Sequence, residues 1–123
     1  MIFKREPREY LPIDTLISAR TRIQGDVQFA GGLHVDGTVT GSVRAEAGTP
    51  SRLVQSQGSV VEGSVEAQVV ELHGTVRGDI IAPRRATLGA TARIEGNVQY
   101  GDIEMAAGAR INGKMVKLTT SGT

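Results

Sequence analysis

The sequence predicts an all-β, single-domain solenoid of about six coils, and three observations indicate this fold class. First, a five-residue unit, V/I-x-G-x-V/I/M, recurs six times, starting at residues 23, 39, 61, 76, 94 and 111. Second, successive units start 15 to 22 residues apart, a spacing that suits one turn of a three-faced β-solenoid and is too short for helix-pair repeats. Third, both residues flanking the glycine are polar in all six units, as expected of strands with one buried and one solvated face.

Length and composition agree with a slender core. The chain has 123 residues, of which 39% are apolar, enough for one domain and one core. Because it contains two Phe, two Tyr and no Trp, we expect a narrow interior filled by Val, Ile, Leu and Ala. The formal charge of +1 is spread among interleaved acids and bases, which excludes the basic stripe that nucleic acid selects. The absence of cysteine excludes disulfides and thiolate metal sites.

The amino-terminal segment, residues 1–13, is predicted to be a disordered arm. It opens MIFKREPREYL, which combines Pro7 with a cluster of charges, and Pro12 follows directly. Two interpretations stay open for it. It is either an ordinary solvated tail, or a segment in which Ile2, Phe3, Lys4 and Arg5 contact an anionic membrane surface, where each basic residue contributes about 1 kcal/mol.

Residues 14–117 are predicted to form the solenoid, and residues 118–123 a disordered tail. The repeating pattern is clearest in LHVDGTVTGSV, residues 33–43, where apolar Val35, Val39 and Val43 alternate with polar residues. A second apolar column is expected four to seven residues before each unit, at Ile17, Val35, Val54, Leu72, Leu88 and Met105. The variable gap predicts turns, most of which contain a glycine that would leave room for the coil stacked above.

Both ends of this solenoid are predicted to be open. Prolines break the segment before the first coil, and only VKLTTSGT follows Met115, so neither end has the polar or helical cap that soluble solenoids normally carry. Unpaired β edges over an apolar cross-section favour association with further copies of the chain. The residues expected at the joints are Leu16, Ile17, Ile23 and Phe29 at the amino-terminal end, and Ile103, Met105, Ile111, Met115 and Leu118 at the carboxy-terminal end.

No catalytic, cofactor or metal site is predicted, and we expect no enzyme activity. The stretch from Gly108 to Lys114 matches the opening of a phosphate-binding loop, but Met115 stands where Ser or Thr would meet magnesium. The two histidines, His34 and His73, belong to repeats two coils apart, about 10 Å by strand spacing, too far to share a metal ion. Neither nucleotide nor nucleic acid is an expected partner.

The sequence leaves two alternatives to self-assembly. A hexapeptide-repeat acyltransferase would show a six-residue aliphatic rhythm, which is present at Leu88, Ile94 and Tyr100 but fails at Glu66 and Gly78. Such an enzyme would also need His34 or His73 as its base. A non-polymerising β-helix adaptor would bind a protein or glycan on one flat face, and such faces usually display aromatic ladders, which this sequence lacks.

The motifs GGLHVDGTVTGSV, residues 31–43, and VVELHGTVRGDI, residues 69–80, together with the recurrent G-x-V/I/M, resemble the bactofilin family. The resemblance runs from Asp14 to Lys117. It implies a right-handed β-helix with a triangular apolar interior that polymerises without nucleotide into non-polar cytoskeletal filaments. It also implies a cytoplasmic protein, peripheral at the inner face of the cytoplasmic membrane, that supports cell shape or recruits cell-wall enzymes. The arm from Met1 to Arg5 is similar to the membrane-targeting starts of some members.

Overall fold

The computed structural model describes residues 12–118, and this range contains sixteen β-strands and no helix. The strands are β1 (Ile13–Ile17), β2 (Arg22–Gln24), β3 (Val27–Phe29), β4 (Gly31–Val35), β5 (Thr38–Thr40), β6 (Val43–Ala45), β7 (Ser51–Gln55), β8 (Val60–Glu62), β9 (Val65–Glu66), β10 (Val69–Leu72), β11 (Thr75–Arg77), β12 (Ile80–Leu88), β13 (Arg93–Glu95), β14 (Val98–Met105), β15 (Arg110–Asn112) and β16 (Met115–Lys117). Strand formation begins at residue 13, one residue before the predicted boundary.

Every strand pair is parallel, and the strands stack into three faces. Face 1 contains β1, β4, β7, β10 and the second halves of β12 and β14. Face 2 contains β2, β5, β8, β11, β13 and β15. Face 3 contains β3, β6, β9, the first halves of β12 and β14, and β16. Each coil contributes one strand segment to each face, so the predicted solenoid of six coils is confirmed.

The repeated unit forms one continuous interior column. Ile23, Val39, Val61, Val76, Ile94 and Ile111 pair in register along face 2. The four members in the middle coils are at most 1% exposed, because each lies between a coil above and a coil below. None of the twelve polar residues that flank the six glycines is buried, as the alternation predicts.

The second predicted column is wrong at one position. The structure places Gln55, and not Val54, in register with Val35 on one side and Leu72 on the other. Leu53 already points inward, and neighbouring residues of a strand point to opposite sides, so Val54 turns outward and Gln55 turns inward. Gln55 is completely buried, and its Nε2 donates to the carbonyls of Thr75 at 2.9 Å and Ser59 at 3.3 Å.

The glycines of the repeated unit stack at the corner between faces 2 and 3. A Cβ atom on Gly63 would lie 2.3 Å from the carbonyl oxygen of Gly41, and one on Gly96 would lie 2.2 Å from that of Gly78. Backbone atoms thus occupy the space that a side chain would need, and this is why the unit keeps glycine in consecutive coils.

A ladder of side-chain hydrogen bonds follows the same corner. In four of the six units, the residue after the glycine presents a side-chain oxygen to the backbone N–H of its counterpart in the next coil. Asp26 Oδ1 accepts from Ser42, Asp79 Oδ1 accepts from Asn97, and Asn97 Oδ1 accepts from Lys114, each at 2.9 Å. The polar residues predicted to face outward therefore also connect neighbouring coils.

Candidate polymer interface

Within the described range the solenoid ends in unpaired β edges on both sides. The strands of the first coil, β1, β2 and β3, pair only with the second coil. The last segment of β14, together with β15 and β16, pairs only with the fifth coil. Each end therefore presents three strand edges whose backbone groups are free to pair with another chain.

At the amino-terminal end, the inward-facing apolar side chains are buried or half-buried. Ile17 is 5% exposed and Phe29 is 7% exposed, although both belong to the first coil. Ile23 and Val27 are half-buried against the same core. Leu16 does not lie in this group, because it pairs with the outward-facing His34, whereas Ile17 pairs with the buried Val35. Of the four residues predicted for this joint, Leu16 therefore lies on the side of the rod.

The carboxy-terminal end exposes more apolar surface. Met105 is 43% exposed and Met115 is 42% exposed, and both occupy inward columns of the last coil. Ile103 and Ile111 are half-buried between them and the fifth coil. A depression of about 630 Å³ opens at this end over Ile94, Met105, Ala109, Ile111 and Met115. Leu118 is half-buried, and its N–H donates to the carbonyl of Tyr100 at 2.6 Å.

Two lysines mark where the repeating pattern stops. Lys114 follows the last corner glycine, and its ammonium cannot accept the next hydrogen bond of the corner ladder. Lys117 pairs with Tyr100, which pairs with the buried Ala82. It thus occupies an inward column, where an ammonium would be expensive to bury.

The structure also brings together Ser56, His34 and Asp36, a cluster that sequence reasoning missed because Ser56 lies in another coil. His34 Nε2 is 2.7 Å from Ser56 Oγ and 2.9 Å from Asp36 Oδ1. A hydrolytic triad needs the acid on one ring nitrogen and the nucleophile on the other. Here both groups meet the same nitrogen, so the cluster is a surface hydrogen-bond network. His73 makes a separate contact with Glu71 at 3.1 Å.

The stretch that imitates a phosphate-binding loop has the wrong shape for one. Residues 110–112 form the extended strand β15, and β16 follows in place of a helix. Across the described part of the chain, no three acidic or histidine side chains gather closely enough to hold a metal ion. A membrane-crossing helix is absent from residues 12–118. The predicted membrane contact, Ile2, Phe3, Lys4 and Arg5, lies outside the described residues.

The parallel three-faced stack with two open ends places the chain among β-solenoids of the kind that can continue from one molecule into the next. The chain belongs to the bactofilin family, whose model, described as polymer-forming cytoskeletal, matches residues 15–116.

Two relatives support this assignment. The chain is 32% identical to bactofilin BacO of Myxococcus xanthus (strain DK1622) over 110 residues, which cover 89% of this chain and 84% of the relative. It also matches a bactofilin of Thermus thermophilus solved by cryo-EM as double helical filaments. That match has a TM-score of 0.73 and 29% identity, and covers 85% of this chain and 99% of the other. The family resemblance predicted from the sequence is therefore confirmed.

Proposed function

We propose that this protein is a bacterial cytoskeletal scaffold that assembles end to end, without nucleotide, into non-polar filaments, and that two such strands wind together. The observation that carries the proposal is the carboxy-terminal end, where Met105 and Met115 are more than two fifths exposed above three unpaired strand edges. Covering these side chains would be favourable by about 25 cal/mol per Å² of apolar surface, and a second copy offers matching strand edges.

Joints between like ends, which would make the filament non-polar, are what the family resemblance implies. In a head-to-tail joint the first coil of the next copy would continue the columns, placing its Phe29 over Lys117. It would also place Arg22 next to Arg110, since both lie in one outward column of face 2. Enclosing an ammonium in a dry joint costs on the order of several kcal/mol. A joint between two carboxy-terminal ends would meet Lys117 of both copies, so the blocking variants described next distinguish the two kinds of joint.

The test blocks one end at a time with an inward-facing arginine. Ile23→Arg blocks the amino-terminal end and Met105→Arg blocks the carboxy-terminal end. If like ends join, each single variant still has one working end and forms dimers, of about twice the 13.0 kDa of one chain. The double variant is then a monomer. Light scattering measures these masses, and negative-stain microscopy with and without ATP shows whether the unaltered chain forms filaments and needs nucleotide.

Two outcomes would contradict the proposal in different ways. If each single variant is a monomer and an equimolar mixture of the two forms dimers, the joint is head to tail and the filament is polar. If Met105→Arg forms filaments as long as those of the unaltered chain, the end surface is misplaced. Met105→Leu is the matched control and should leave filament length unchanged, because it keeps an apolar side chain of similar volume.

The cellular role forms the rest of the proposal. A filament that repeats one weak membrane contact many times gains avidity, so the arm at Ile2, Phe3, Lys4 and Arg5 would hold the polymer at the inner face of the cytoplasmic membrane. There it would support cell shape or position cell-wall enzymes, without catalysing a reaction itself. Co-sedimentation of filaments with anionic vesicles, compared with a chain lacking residues 1–11, tests the membrane contact.

A further inference from the structure

Two large apolar side chains lie exposed on the side of the rod, where the end joint does not reach. Leu16 is 57% exposed and Ile13 is 38% exposed. Leu16 faces outward, since it pairs with the outward-facing His34. Ile13 pairs with Gly32, and the register shifts between Ile13 and Thr15, which pairs with the buried Leu33. Side chains that point away from the rod axis are not covered by a copy stacked along that axis.

These side chains belong to a larger surface, which we call the lateral patch and which consists of Ile13, Leu16, His34 and Val54. Leu16, His34 and Val54 form one outward column across the first three coils of face 1. Three acids border them. Asp14 accepts from the backbone N–H of Gly32 at 3.3 Å, Asp36 contacts His34 at 2.9 Å, and Glu71 follows Val54 in the same column.

Face 1 is divided along its length. In its outward columns the first three coils carry one residue of permanent charge, Arg52, which pairs with Glu71 at 3.3 Å. The last three coils carry Glu71, Arg85, Asp102 and Glu104 in the same columns. The apolar character is therefore concentrated near the amino-terminal end, where a contact with a neighbour would desolvate few charges.

The other two faces present no such surface at that end. In the first coil the outward residues are Arg22 and Gln24 on face 2, and Gln28 on face 3. Val116, 47% exposed, is an outward apolar residue of face 3, but it lies in the last coil and pairs with Gln99. Face 1 near the amino-terminal end is thus the side of the rod best suited to a dry contact.

We infer that the lateral patch is the contact between the two strands of the double filament, and that its occupant is a second copy of this chain. This inference rests on the proposed function, because it assumes filaments of two strands. The patch recurs once per molecule, so a contact that is weak for one pair becomes strong along the polymer through avidity. Leu16 is its anchor, since it exposes the largest fraction of any large apolar side chain in the described range.

Thiol labelling tests which side of the rod becomes covered. The chain contains no cysteine, so Leu16→Cys introduces a single thiol. Gln24→Cys is the matched control, because Gln24 is an exposed, outward residue of the same coil on face 2. The rate at which each thiol reacts with a maleimide is measured in assembled filaments. It is measured again in chains that also carry Ile23→Arg and Met105→Arg, which block assembly. We expect Leu16→Cys to react at least tenfold more slowly in filaments, and Gln24→Cys to react at similar rates in both states.

A second variant measures strand number directly. Ile13→Thr with Leu16→Thr keeps residues that suit a strand, and both sites are exposed, so the substitution leaves no cavity. Negative-stain microscopy should show single strands of undiminished length in place of double filaments. Double filaments in this variant, or equal protection of both thiols, would overturn the lateral patch while leaving end-to-end assembly intact. Single-stranded filaments of the unaltered chain would also overturn the lateral patch and leave end-to-end assembly intact. A complete lack of filaments would overturn the proposed function as well.

Discussion

Substitution of Gly63 by alanine is expected to destabilise the solenoid far more than the same substitution at Gly25. Both glycines occupy the same position of the repeated unit, and both have positive φ, +157° for Gly63 and +132° for Gly25. An L-residue is strained at either site, at a cost of about 1–3 kcal/mol. The two sites differ in their surroundings. The new Cβ at Gly63 would lie 2.3 Å from Gly41 O and 2.5 Å from Gly41 C, whereas at Gly25 no described atom lies within 4 Å.

The magnitude follows from which atoms would have to move. The coil below Gly63 would need to retreat by about 1 Å to reach an ordinary contact distance, and the obstructing atoms are backbone atoms held by strand pairing with neighbouring coils. Overpacking of this kind costs about 1–3 kcal/mol, occasionally more. We therefore expect Gly63→Ala to lose about 2 kcal/mol more than Gly25→Ala, or roughly 8 °C in Tm for a domain of this size.

The assay is thermal unfolding followed by circular dichroism. It is carried out in the background of Ile23→Arg with Met105→Arg, because polymerisation would otherwise raise the apparent stability. Equal losses at the two sites would mean that backbone strain alone explains why glycine recurs at this corner, and the argument from coil contact would fail. A larger loss at Gly25 would refute it outright.

Two further predictions concern single side chains in the same background. Gln55→Leu should leave the stability within about 1 kcal/mol of the parent or raise it, since the buried Oε1 accepts no hydrogen bond from the described residues and leucine fits the column. Gln55→Ala should instead cost about 2–5 kcal/mol through the cavity it leaves. A loss of stability above about 2 kcal/mol for Gln55→Leu would show that the hydrogen bonds of the amide are needed. Asp79→Ala should cost about 1 kcal/mol by removing the acceptor for the N–H of Asn97, whereas Asp79→Asn keeps an acceptor oxygen and should cost less. Chemical denaturation measures both series, and equal losses for the two Asp79 variants would argue against the corner ladder.

Much of the fold could be predicted from local pattern. The unit V/I-x-G-x-V/I/M specifies by itself which of its side chains point inward, because its glycine lies between two polar residues. This is why the column from Ile23 to Ile111 and its six members are in the predicted register. The same reasoning placed Met115 in an inward column of the last coil, where it is exposed.

The rest depended on contacts between coils. Corners of variable length separate the unit from the strand before it. The alternation of inward and outward side chains cannot be followed through such a corner. The sequence therefore favoured the apolar Val54 for this column, whereas pairing with Val35 and Leu72 places Gln55 inside. Leu16 and Ile17 were both expected at the end surface, although adjacent strand residues point to opposite sides. Pairing with β4 decided that Leu16 faces outward.

The sequence alone determined the number of coils and the residues of the repeated unit, because these follow from spacings within one chain, and its motifs carried the resemblance to the family. Only the tertiary structure decided which side chains cover the ends and which lie on the side of the rod. It also decided that Ser56 meets His34 of the neighbouring coil. The physical reason is that a solenoid stacks residues about one coil apart, 15 to 22 positions along this chain, and corners of variable length interrupt the alternation that sets the register between strands.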